Sequence, residues 1–185
     1  MKIRKYQSKD KQRVIEIFLK NADIDASTSE DTVKFIEYTF CRYYIEVEPE
    51  NCFVAVDEND EPYGYVYGAA DFDNYRQKFE PYLETVAGLK NGAFTADVYV
   101  EMYNHYIYKD EYPAHLHIDV LDGHRGEGTG AKLIENYCEN LRSRSIKGVM
   151  LIVGSDNDGG RNFYEKNGFT LLNDRPFGAA YGKKL

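Results

Sequence analysis

The sequence predicts an α/β fold: a mixed, twisted sheet flanked by helices. Three features carry that prediction. Gly148 to Val153 (GVMLIV) is a continuous apolar run, as a strand covered on both faces requires. Ala131 to Arg144 places Leu133, Ile134, Tyr137, Cys138 and Leu141 at helical spacing. Between the alternating run His115 to Leu121 and that helix lies a glycine-dense loop, so strand, loop and helix follow in the order of an α/β unit.

From the start of the chain, Met1 to Tyr6 alternates and reads as a first strand. Ser8 is placed to cap a helix over about 9–20, with Val14, Ile17 and Phe18 on one face. Asp25 to Glu30 is a polar break. A second helix follows over about 31–46, with Val33, Ile36, Phe40 and Tyr43 in phase. Asn51 to Asp57 (NCFVAVD) is a strand, Glu58 to Pro62 a turn, and Tyr63 to Ala70 the returning arm of a hairpin. Residues 72–112 do not continue this rhythm. Tyr75 to Leu89 has helical spacing, Asn91-Gly92 breaks it, and a tyrosine-rich stretch runs from Val98 to Tyr112. The segment reads as an insertion between the third and fourth strands. Late in the chain, Asp158 to Asn167 is a short helix ended by Gly168. Phe169 to Leu172 and Ala179 to Lys184 are the last strands, around Asp174-Arg175-Pro176. The 185 residues read as a single domain.

A net charge of −8 disfavours a nucleic-acid partner, which would meet a basic surface. No apolar run approaches the ~20 residues of a membrane span, and Met1 to Ser8 has no signal-like apolar core. Cys41, Cys52 and Cys138 form no C-x-x-C pair, so no metal site is expected. Cys138 lies on an apolar helical face, as a small core residue does. A reducing cytoplasm is the expected compartment.

The most specific signal spans residues 115–137, HLHIDVLDGHRGEGTGAKLIENY. Glycine occupies four of the eight positions from Gly123 to Gly130, between a strand and a helix start. Unpaired N–H groups at the positive end of a helix dipole, with glycines allowing close approach, make a phosphate cradle. A P-loop is disfavoured, because Leu133 stands after Lys132 where a hydroxyl residue belongs. A dinucleotide fingerprint is disfavoured, because Gly128 and Gly130 are too close together. R-x-x-G-x-G, formed by Arg125, Gly128 and Gly130, does match the segment. A plain tight turn capping the helix is the competing reading.

With this loop the chain resembles the GNAT superfamily of N-acetyltransferases. Arg125-Gly126-Glu127-Gly128-Thr129-Gly130 fits the family's pyrophosphate loop, and Ile118-Asp119-Val120 stands where its pantetheine-lining strand lies. Asn157, Gly160, Phe163-Tyr164-Glu165-Lys166 and Gly168-Phe169 fit the second block, with Gly160 in place of the usual alanine. Tyr112 to Asp119 also looks like the acetyltransferase-like domain attached to some O-GlcNAc hydrolases.

The resemblance implies a GNAT-like sheet, acetyl-CoA as co-substrate, and direct transfer to a small amine in a ternary complex. It implies that residues 118–120, 125–130 and Asn157 hold the cofactor, and that Tyr164 is the general acid. Backbone N–H groups around Ile118 and Val120 are placed to polarise the thioester carbonyl. By helical spacing Phe163 packs on the core with Phe169 while Tyr164 faces the cleft, or Tyr164 is a boundary residue with a structural hydrogen bond. Asn157 contacts the cofactor or caps the following helix. His115, His117 and Asp119 share one strand face. His117 is the candidate base, against a reading in which that face is merely polar and partly buried. Glu46 and Glu48 are further candidates, and Ile152 stands where some family members carry a basic carboxylate. The tyrosine-rich insertion either walls the acceptor site or forms a surface excursion, and a homodimer is compatible with it. The rival functions are a non-catalytic GNAT-like module, for CoA binding or protein contacts, and an acyltransferase for longer acyl-CoA.

Overall fold

The computed structural model describes all residues except 23, 25–26, 90–92 and 176–177, with main chain alone at 93–97 and 99–101. The strands are β1 (Lys2–Lys5), β2 (Phe53–Val56), β3 (Pro62–Ala69), β4 (Ala114–Val120), β5 (Gly148–Val153), β6 (Thr170–Arg175) and β7 (Gly178–Lys184). They form one sheet in the order β1-β2-β3-β4-β5-β7-β6. Every described pairing is antiparallel except β4 with β5. The helices are α1 (Lys11–Asn21), α2 (Glu30–Glu37), α3 (Tyr43–Val47), α4 (Phe72–Lys78), α5 (Glu80–Ala87), α6 (Ala93–Tyr108), α7 (Thr129–Ser143) and α8 (Asp158–Lys166). Among the described residues no helix is long and apolar enough to cross a membrane.

Strand alternation sends side chains to two cores. Val54, Val56, Tyr65, Tyr67 and Ala69 meet α1–α6 on one face. Phe53, Ala55, Val66, Leu116 and Val120 meet α7 on the other, against Leu133, Ile134, Tyr137, Cys138 and Leu141. All three cysteines are free and buried. Burial holds the thiols of Cys41 and Cys52 protonated, the former pushed up to about 12.

Several expectations are corrected. Ser8 is not the cap of the first helix. Gln7 and Asp10 form a capping box, and the buried Asp10 carboxylate also takes two hydrogen bonds from Arg4, at 2.7 and 2.9 Å. The second helix spans the expected range but carries a π segment, Tyr38–Arg42, between α2 and α3. Its wider turns rotate the buried face. Phe35, Thr39, Cys41 and Tyr44 point inward, while Val33, Ile36 and Phe40 are half-buried. The helix expected over Tyr75 to Leu89 is two helices, α4 and α5, meeting at the buried Phe79, and the tyrosine-rich stretch is largely α6. These helices are not a surface excursion, because Phe72, Tyr75, Phe79, Val86 and Val98 belong to the first core. The last strand pair begins later than expected, at Thr170 rather than Phe169. The Asn91-Gly92 break, Pro176 and part of the Asp25–Glu30 break lie outside the described residues.

Candidate active site

The cleft begins where the sheet parts. β4 and β5 pair only at Ala114 with Val149 and His115 with Met150. Beyond that, residues 116–120 of β4 and 151–153 of β5 run on without pairing to each other. Leu121 donates to the Tyr63 carbonyl on β3 at 3.0 Å. In an antiparallel ladder, alternate residues face the partner strand. Residues 115, 117 and 119 therefore turn their backbone groups to β3, while those of Ile118 and Val120 face the gap. The gap leads into a cleft of about 610 Å³ between β4, the glycine loop and α8.

The loop is built as its glycines predict. Gly126 and Gly128 adopt φ of +84° and +80°, the left-handed region that other residues reach only under strain. Gly128 is the N-cap of α7, no side chain caps this end, and Lys132 makes the first intrahelical bond, to the Gly128 carbonyl. The N–H groups of residues 129–131 thus have no helical acceptor. A β-carbon on Gly128 would point into open space. Thr129 is buried, and its hydroxyl has no partner among the described residues. Open donors, an orphaned hydroxyl and room above Gly128 together fit an anionic phosphate group. Arg125 anchors this loop through Nε to the Val120 carbonyl at 2.9 Å and pairs with Asp122 at 2.8 Å. Asn157 caps α8, its Oδ1 accepting from Gly160 N–H at 2.8 Å, and also lines the cleft, so both readings of this residue hold geometrically.

Two proton-active groups border the cleft. Tyr164 lies in it with its ring 5.3 Å from Phe163 and 5.8 Å from Phe169. Among the described residues its hydroxyl has no hydrogen-bond partner, so it is not held as a structural tyrosine. Burial first, and then the charge of Asp119, raise its pKa and keep the phenol protonated. Phe163 is half-buried and packs against the second core, which includes Phe169, as expected. It also lines the cleft beside Gly130, where a β-carbon would come within 2.8 Å of its ring. The backbone of Asp119 is directed to β3, but its carboxyl borders the cleft and accepts a hydrogen bond from Tyr65. Burial pushes this carboxyl up to about 6, against the opposing effects of the Tyr65 bond and Arg125.

His117 is not in the cleft lining. It is half-buried, and its Nε2 lies 3.2 Å from the Tyr44 hydroxyl, which also meets His115 Nε2 at 2.9 Å. His115 is buried and pushed well below the usual histidine range by burial and by His105 and His117, which leaves it neutral. Glu48 is buried and bonded to Tyr43, Asn51 and the Ala70 N–H. Glu46 pairs with Lys11 and Arg42. Glu127 is exposed on the outer side of the loop, away from the cleft.

Of the expected cofactor residues, Ile118, Asp119, Val120, Arg125, Gly126, Gly128, Thr129, Gly130 and Asn157 converge on the cleft. Lys166 and His124 join them without having been expected. Lys166 is a cation in the last turn of a helix, which ordinarily answers the helix dipole, so nothing in the sequence marked it. His124 stacks on Tyr63 at 4.0 Å, a contact between distant segments.

The model of the acetyltransferase (GNAT) family matches residues 12–169. Among solved structures, that of SsHAT is 27% identical, with a TM-score of 0.86 over 99% of this chain and 97% of that one. The PaiA N-acetyltransferase of Thermoplasma acidophilum, in complex with coenzyme A, is 15% identical, with a TM-score of 0.61 over 100% and 98% of the two chains. A polyamine N-acetyltransferase of Drosophila melanogaster, which catalyses formation of N-acetylagmatine, is 14% identical, with a TM-score of 0.69 over 100% and 99%. At such identities the last two likenesses concern the fold.

Proposed function

The chain belongs to the acetyltransferase (GNAT) family, and from that premise we propose that it transfers an acetyl group from acetyl-CoA directly to a small amine. The observation that carries this reading is the open cleft between β4, the glycine loop and α8. It joins free loop donors at one end to a protonated phenol and a titratable carboxyl at the other.

In this reading the N–H groups of the Arg125–Gly130 loop and the start of α7 take the pyrophosphate, and the Thr129 hydroxyl gains a partner. Lys166, Arg125 and the Asn157 amide add donors along the same wall. The backbone groups of Ile118 and the N–H of Val120, left open by the parted strands, hold the extended pantetheine arm as a neighbouring strand would, while the Val120 carbonyl stays with Arg125. The Val120 or Ile118 N–H polarises the thioester carbonyl. Asp119, rather than His117, accepts the proton that the acceptor nitrogen loses on forming the new C–N bond. Tyr164 gives its proton to the sulfur as the C–S bond breaks, and recovers one from solvent. The two groups differ widely in proton affinity, as acid and base in one site should. The amine as acceptor class accords with the polyamine N-acetyltransferase of similar fold and with a protein whose net charge is −8.

Binding is tested by thermal unfolding. A ligand at ~100 times its Kd adds about 2.7 kcal/mol. At ~2–4 °C per kcal/mol, saturating acetyl-CoA should raise the Tm by roughly 5–11 °C, whereas NAD and ATP should not. No rise in a folded sample would remove the cofactor assignment. An amine panel followed by release of free CoA then separates an enzyme from a binding module, and a series of acyl chain lengths tests for a longer donor.

Gly128→Val checks the cradle. A branched side chain enters the space above the loop and meets the left-handed φ of +80°, a strain of ~1–3 kcal/mol. The variant should fold with a lowered Tm and lose the acetyl-CoA shift. Normal binding by folded Gly128→Val would place the cradle elsewhere.

A further inference from the structure

We propose that the open pocket bordered by α4, α5, α6 and the end of β6 is a second ligand site, for a small amphipathic carboxylate. Its volume is about 880 Å³, within the ~300–1,000 Å³ range of small-molecule pockets and larger than the cleft. The two lining sets share no residue. Phe72, Phe79, Leu83 and Met102 give the cavity an apolar wall.

Three polar side chains on this wall lack partners. Asn104 is only 6% exposed, lines the cavity, and its amide has no hydrogen bond among the described residues. Buried amides are normally paired, so this one is open to a ligand. Arg76 from α4 and Arg175 from β6 reach the same cavity from segments far apart in the chain. Neither meets a carboxylate among the described residues, whereas Arg4, Arg13, Arg42, Arg125 and Arg161 each do; Arg142 and Arg144 do not either, but they lie outside this pocket. With Glu80 as its one acid against Arg76 and Arg175, the described lining is net positive. An apolar body against the aromatic wall, with its carboxylate on the arginines and a hydrogen bond to Asn104, satisfies all three groups. Amines would meet two uncompensated guanidinium charges.

The site stands apart from acyl transfer, and so does its test. Calorimetric titration of the full chain uses naphthylacetate, its primary amide and naphthylmethylamine. The acid should bind at one site per chain, and the amide and amine about tenfold or more weaker, the loss of one charge-assisted bond of about 1.4 kcal/mol. Arg76→Gln together with Arg175→Gln should reduce the acid to the level of the amide. The same double variant should keep its Tm and its acetyl-CoA shift, because both arginines are exposed and outside the cleft. Saturating acetyl-CoA should leave naphthylacetate binding in place. Absence of binding, equal affinity for acid and amide, unchanged affinity in the double variant, or displacement by acetyl-CoA would each overturn the assignment.

Discussion

Tyr164→Phe is expected to lower kcat by about 10²–10⁴-fold, the usual contribution of a positioned general acid. The substitution removes only the phenolic O–H. The ring keeps its contacts to Phe163 and Phe169, and no hydrogen bond is lost because the hydroxyl makes none among the described residues. The Tm should therefore stay within about 2 °C of the parent. Acetyl-CoA affinity should change by less than about tenfold, since one hydroxyl bond nets ~0.5–1.5 kcal/mol. The measurement is CoA release with an acceptor found in the amine panel, at saturating substrates and with chemistry rate-limiting. Unchanged turnover would take Tyr164 out of the mechanism and leave water or the amine's own proton to serve the thiolate. A loss of folding would contradict its placement at the edge of the core.

Asp119→Asn should weaken catalysis and strengthen the fold at once. As the base, Asp119 is worth about 10²–10⁴-fold in turnover. Its carboxyl titrates at about 6 in the folded protein against an ordinary 3.8. The folded state then binds the proton more tightly than the unfolded state does. Stability from this group is complete below about pH 4 and is lost as pH rises through about 6. Above pH 6 the buried carboxylate is a liability of about 2–3 kcal/mol, at ~1.4 kcal/mol per tenfold. An asparagine keeps the acceptor for Tyr65 without the charge. At pH 8 the variant should melt roughly 4–12 °C above the parent, and at pH 4 no higher. The pH–rate profile supplies the second readout. The parent should lose activity as pH falls through about 6, and that limb should vanish in the variant. His117→Gln, outside the cleft, should cost less than about tenfold. If His117→Gln abolishes turnover while Asp119→Asn spares it, the histidine is the base after all.

These two residues mark what residue order carries and what it does not. The period of 2 along β4 places His115, His117 and Asp119 on one face, and this is legible from residue order alone. A near-neutral pKa then favours histidine over aspartate. The choice reverses because β4 and β5 separate after His115, so the cleft opens beside the end of β4 that carries Asp119. Burial there moves the carboxyl into the working range, and hydrogen bonding to Tyr44 ties His117 into a different neighbourhood. The helical phase of Phe163 and Tyr164 was also legible, but not that both rings would line one cleft. Gly130 has no side chain to keep Phe163 away, and that contact joins helices far apart in the chain.

What the sequence determined by itself is local. Its apolar periods set the strands and most helices, and its glycines at 126 and 128 set a left-handed loop at the head of α7. The spacing of Arg125, Gly128 and Gly130 marked that loop as a candidate anion cradle, because backbone conformation and dipole depend on near neighbours. Tertiary structure decided the rest. Packing of α4–α6 onto the first core made these helices part of its wall and formed the second pocket. A π segment rotated a helix face away from its simple period. The parting of two strands opened the cleft beside Asp119 rather than His117. Desolvation and long-range contact act between residues that the chain holds tens of positions apart, so they leave no spacing to read.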